Sequence, residues 1–125
     1  MTPDLEALAR RAVACKRWRW MAGMRLTDGD LVVSRRGDGA PIACSPAVLF
    51  GEFPTSREGA LPDLTDPATL GCMLALVRDA HGSPLLRVEG FPDGWRAVQT
   101  DRAPYIVGLG STEAAALVAA LESAP

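Results

Sequence analysis

Five consecutive residues, Lys16-Arg17-Trp18-Arg19-Trp20, alternate cations with indoles in a pattern that suits two kinds of recognition. Indole faces can stack on unpaired bases while the neighbouring cations meet phosphates, at about 1–3 kcal/mol per stacked base. The same residue types also anchor protein–protein contacts, where tryptophan and arginine bury large areas yet keep directional polar contacts. The architectural alternative is that both indoles pack inward while the arginines stay in water. A second basic group lies in Ser34-Arg35-Arg36-Gly37-Asp38-Gly39, a turn-forming stretch that could meet an acidic partner or simply solvate a loop tip. The candidate partner-binding residues are therefore Lys16, Arg17, Trp18, Arg19, Trp20, Arg35 and Arg36.

Residues able to do covalent or acid–base chemistry are sparse. His81 is the only histidine, and as a base it would need a nucleophile or an oriented carboxylate beside it. Asp79 lies two residues away on a different helix face, and Cys44 is the other conceivable partner. A histidine in a last helical turn more ordinarily caps carbonyls. Cys15, Cys44 and Cys72 show no CxxC spacing, and one histidine with three scattered cysteines lacks a metal-ligand pattern. Asp28, Asp30, Asp38 and Asp101 sit at turn positions and form no carboxylate pair. Gly108-Leu109-Gly110-Ser111-Thr112 has the outline of an anion-binding helix start, but it lacks a third glycine and a P-loop lysine, so it reads as ordinary capping. No catalytic residue, cofactor or metal is expected, and the chain is not expected to be an enzyme.

The 125 residues fit one domain spanning 1–125, and 48% apolar with 22% charged content is ordinary for a soluble globular chain. A net charge of −2 argues against a dedicated duplex-DNA binder. The charge is unevenly spread. Residues 1–25 hold Arg10, Arg11, Lys16, Arg17, Arg19 and Arg25 against only Asp4 and Glu6, so the remainder is acidic. Thr2-Pro3-Asp4-Leu5-Glu6 begins a polar helix where a signal peptide would be apolar, and no run approaches the ~18 apolar residues of a membrane span. Odd, unpaired cysteines suit a reducing, cytoplasmic setting.

The elements that must position these residues can be read from caps and periodicity. Thr2 and Pro3 start a first helix with Leu5, Leu8, Ala9, Ala12 and Val13 as its stripe, ending near Cys15. Leu31-Val32-Val33 and Ile42-Ala43-Cys44 can pair as a hairpin, and Ala47-Val48-Leu49-Phe50 is a further short apolar run. Residues 51–64 read as a loop. Asp66 as N-cap, Pro67 at the first helical position and Gly82 as a left-handed stop delimit a second helix over 67–81. Leu70, Met73, Leu74 and Val77 form its stripe, with Cys72, Ala75 and Leu76 on the other side, so it is expected to be the buried hub. Leu85–Glu89 and Trp95–Thr100 alternate around the turn Phe91-Pro92-Asp93-Gly94, and Tyr105–Leu109 supplies a third strand. Ser111 is expected to cap a last helix that buries Ala114, Leu117, Val118 and Leu121. The order α-β-β-α-β-β-β-α indicates an α+β fold: an antiparallel sheet of four to six strands and three helices in a layered α/β sandwich.

Leu5 and Leu8, Trp20, Ala68 to Leu76, Trp95-Arg96-Ala97-Val98 and Gly108 through Leu121 together carry a resemblance. In this order the chain resembles the small phage and prophage proteins of the phage alpha–beta–alpha sandwich domain family, at both ends but not over residues 26–60. The resemblance implies a three-layer fold and a phage or prophage origin, and it brings no activity or catalytic residues. The leading expectation is a non-catalytic protein in the cytoplasm of a bacterial host. It would act by binding a host or phage protein, in host takeover or defence inhibition. One alternative is weak single-stranded nucleic-acid binding through residues 16–20, and a further one is a small enzyme using His81. Self-association through a strand edge or a Trp-bearing face is left open.

Overall fold

The computed structural model describes residues 2–46 and 53–125, so the apolar run at Ala47-Val48-Leu49-Phe50 lies outside the described residues. The elements run α1 (Pro3–Ala14), β1 (Leu31–Arg35), β2 (Pro41–Cys44), β3 (Thr55–Ser56), α2 (Pro67–His81), β4 (Arg87–Phe91), β5 (Gly94–Val98), β6 (Ile106–Gly110) and α3 (Glu113–Glu122). Local chemistry sets the helix ends. The Thr2 hydroxyl accepts from the Leu5 amide at 3.2 Å, and Asp66 accepts from the Thr69 amide at 2.9 Å. Gly82 stops α2 at φ 61°, a left-handed conformation that glycine adopts without a Cβ penalty. α3 begins one residue later than expected. Thr112, not Ser111, is its N-cap and accepts from the Ala115 amide at 3.1 Å.

The strands do not form one sheet of four to six members. They divide into two three-stranded antiparallel sheets, ordered β1-β2-β3 and β4-β5-β6. The β1–β2 hairpin was legible, whereas β3 is two residues inside the expected loop and pairs Thr55 with Ala43 and Ser56 with Ile42. A strand that short carries no periodicity. The second sheet is the expected up-down-up meander, turning at Pro92-Asp93 between the paired Phe91 and Gly94.

The hub is α3, not α2. Ala114, Ala116, Leu117, Val118, Ala120 and Leu121 are all buried, and α3 packs on every strand of the second sheet and on both other helices. α2 is one-sided by comparison. It buries Thr69, Met73, Leu76, Val77 and Ala80, leaves Leu70, Cys72 and Leu74 half-buried, and exposes Gly71 and Ala75. The reason lies in side-chain size. An alanine-rich helix can approach a sheet closely where the strand offers no side chain, and β6 offers Gly108 and Gly110. A Cβ built on Gly108 would stand 2.4 Å from the Ala116 carbonyl oxygen and 2.6 Å from the Ala120 amide nitrogen. Both neighbours are backbone and cannot rotate aside.

Gly108→Ala is therefore expected to push α3 off its sheet and to destabilise the fold by about 3 kcal/mol in urea unfolding, the upper end for overpacking. Gly37→Ala, where a Cβ would meet nothing within 4 Å, is expected to change stability by less than about 0.5 kcal/mol. Equal effects would contradict the close approach.

Candidate functional site

The residues singled out from the sequence are largely occupied within the molecule. Trp18 and Trp20 meet edge to face with ring centroids 5.3 Å apart. Trp20 is only 6% exposed and belongs to the core, and Trp18 packs against that core with a buried Nε1 that has no hydrogen-bond partner among the described residues. Neither indole is a free stacking platform. Arg17 donates to the Pro125 carbonyl from Nε at 3.2 Å and from Nη2 at 2.8 Å. Arg19 lies 3.5 Å from Asp79, and Arg35 donates to the Trp20 carbonyl at 3.4 Å. Lys16 is exposed. Arg36 grips Asp38 through Nε and Nη2, and its Nη2 also reaches Glu58 at 2.7 Å. Its hydrogen bond, joined by the Ala40 amide, holds the Asp38 carboxyl down at about 2. The structure thus links Arg35 to the Trp20 segment and places Arg36 in a separate acidic turn.

His81 bonds through Nε2 to the Ala120 carbonyl at 2.7 Å. A carbonyl only accepts, so Nε2 must carry the proton of this bond. The cleft beside it, about 280 Å³, is lined by Gln99, Arg102, Val107 and Ser123 among others, and among the described residues no acidic side chain or cysteine lines it. Burial pushes the Cys15 and Cys72 thiols up, the opposite of what a nucleophile needs. Among the described residues, no three His, Cys, Asp or Glu side chains gather in a metal-binding group. A roomier cleft of about 740 Å³ lies between Leu5, Leu8, Leu64 and Leu70, with Asp4 and Glu113 on its wall. The α1 and α3 starts that border it are already capped by Thr2 and Thr112.

The most distinctive surface is one that sequence reasoning missed. Cross-strand neighbours share a sheet face, so the register sorts the second sheet into two sides. Val88, Ala97 and Gly108 share the side beneath α3. The opposite side carries the pairs Arg87–Val98, Glu89–Arg96, Arg96–Leu109 and Val98–Ile106. It is open along β6, where Ile106 is 46% exposed, Leu109 58% and the adjoining Tyr105 64%, while Val98 of β5 is buried. Glu89 accepts from Arg96 Nε at 2.7 Å and lies 3.4 Å from Arg87, while the Arg96 guanidinium sits 5.5 Å from the Phe91 ring centre. The Arg96 hydrogen bond, followed by the charges of Arg96 and Arg87, lowers the Glu89 carboxyl below its ordinary value. Charge therefore lies toward β4 and bare apolar surface toward β6. One sequence signal was available: Tyr105-Ile106-Val107-Gly108-Leu109 is apolar at every position, without the polar alternation of a strand with one wet face.

No protein-family model, curated protein or solved structure matches this chain.

Arg36→Ala is expected to release Asp38 from about 2 toward its ordinary 3.8 in a carboxyl-detected NMR titration. Because the folded value is the lower one, the interaction supports the fold above pH 3.8 and is lost as pH falls toward 2. An Asp38 titration that ignores the substitution would contradict the pairing.

Proposed function

We propose that this chain is a non-catalytic binding protein of phage or prophage origin that docks a host or phage protein on the open face of β4–β6. The exposure of Tyr105, Ile106 and Leu109 beside the Arg87–Glu89–Arg96 ladder is the observation that supports this reading. Contiguous apolar surface rimmed by polar groups is typical of interaction sites, and tyrosine and arginine are common anchors in them. In the layered sandwich that the sequence resemblance implies, helices would cover both faces of the sheet. Here α3 covers one face and the partner would supply the other layer. The phage or prophage origin, the cytoplasm of a bacterial host as its location, and a role in host takeover or defence inhibition rest on the sequence resemblance alone.

The test is site-specific photocrosslinking in bacterial lysate. A photoreactive residue at Leu109 is expected to give a discrete adduct with a protein other than this chain, which the same residue at Arg10, on α1, does not. Arg96→Ala should lower the adduct yield by roughly tenfold or more, the scale of an interface anchor. Equal labelling from both positions, or an adduct with nucleic acid in place of protein, would overturn the reading.

A further inference from the structure

Four outer edges border the two sheets, and three carry features that discourage pairing with another chain. β1 is already bonded on its outer side, where the Gly23 amide donates to the Val32 carbonyl and the Val32 amide to the Met24 carbonyl, and it ends in the exposed Arg35. β3 is only two residues long, and β4 bears Arg87 and Glu89. Charges, bulges and shortness are the usual means of blunting an edge. β6 differs. From Ile106 to Gly110 it has no charged residue, and among the described residues no strand pairs with its outer side. Its one irregularity is the extra residue Val107, whose carbonyl accepts from Ser123 Oγ at 2.7 Å. Beyond it, Gly108, Leu109 and Gly110 pair in regular register with β5.

We infer that β6 pairs antiparallel with β6 of a second copy of this chain across a two-fold axis, joining two three-stranded sheets into one of six strands. A neutral strand can lie beside its own copy without like charges facing each other. The polarity of the open face supports a second copy as the occupant. On one chain, charge lies toward β4 and apolar surface toward β6. A two-fold through the β6 edge sets Ile106 and Leu109 of one copy next to those of the other, at the centre of the joint face. It sends Arg87 and Glu89 of β4 to the two outer margins, so no charged side chain of one copy faces its like across the joint. Edge pairing uses backbone groups and leaves the face side chains outward. It therefore stands independently of the partner proposed above, and it would double the platform that partner meets.

Sedimentation equilibrium combined with hydrogen exchange tests this on the full chain. A dimer is expected at concentrations on the order of 100 µM, with amides of 106–110 exchanging more slowly as concentration rises. Leu109→Lys, a charge placed on the edge, should weaken the dimer by about tenfold or more. Arg10→Ala, on α1, should leave it unchanged. Should the lysine variant lose its fold by circular dichroism, the concentration dependence of exchange in the unaltered chain decides the matter. A monomer at every concentration would overturn the inference. So would a dimer whose β6 amides exchange at a constant rate, or one indifferent to Leu109→Lys.

Discussion

The approach of α3 to β6 over Gly108 and Gly110 is the contact on which the rest of the structure depends. It brings a helix of mostly small side chains so near the sheet that its backbone touches strand backbone, which no residue larger than glycine would permit. Once seated, α3 is reached from every other side. His81 of α2 bonds the Ala120 carbonyl, Arg11 of α1 holds Glu122 at 2.5 Å, and Ser123 bonds the Val107 carbonyl. These polar contacts cluster at its C-terminal end, where the last helical carbonyls and the dipole favour donors. The apolar contacts of Leu117, Val118 and Leu121 supply most of the stabilisation, at about 1.5–3 kcal/mol per large side chain buried. The same contact consumes one face of the second sheet and leaves the other bare.

The uneven charge of the chain acquires a structural meaning in this arrangement. Of the six basic residues in the first 25, five are engaged: Arg10 with Glu6, Arg11 with Glu122, Arg17 with the Pro125 carbonyl, Arg19 with Asp79, and Arg25 with Asp66. Four of those partners lie in the acidic remainder or at the end of the chain. Exposed pairs of this kind contribute about 0–1 kcal/mol each, so they orient the N-terminal segment more than they stabilise it. The basic N-terminus docks on its own chain. Among the described residues, the apolar half of the β4–β6 face has no such internal counterpart.

What was legible in the sequence is what is encoded locally. Thr2-Pro3, Asp66-Pro67 and Gly82 write helix ends into a few adjacent residues, and the structure places those ends there. The meander was equally visible, because its turns and alternation fall within a short span. The hub was misjudged because burial depends on partners distant in sequence. α2 has the longer apolar run, yet the glycines that let α3 sink into the molecule lie in a strand before it, and nothing in their spacing announces a helix overhead. The division into two sheets and the two-residue β3 carry no pattern to read. Trp18 and Trp20 read equally well as core or surface, since tryptophan suits both, and only the surrounding packing decides. Arg36 looked free because Glu58, its second partner, is supplied by a loop 22 residues away. The open face was missed for the converse reason: an apolar strand reads as buried on both sides, and β6 is covered on one.

The central claim is that α3 seals one side of the second sheet while the other side meets solvent. Paramagnetic relaxation of assigned NMR signals by a small inert gadolinium chelate, at concentrations low enough for the chain to be monomeric, measures this directly. The account predicts strong broadening of Tyr105, Ile106 and Leu109 side-chain signals, with Ala97, Ala116 and Leu117 untouched. Broadening of Ala97 and Leu117 to the same degree, or protection of Ile106 and Leu109 in the monomer, would contradict it.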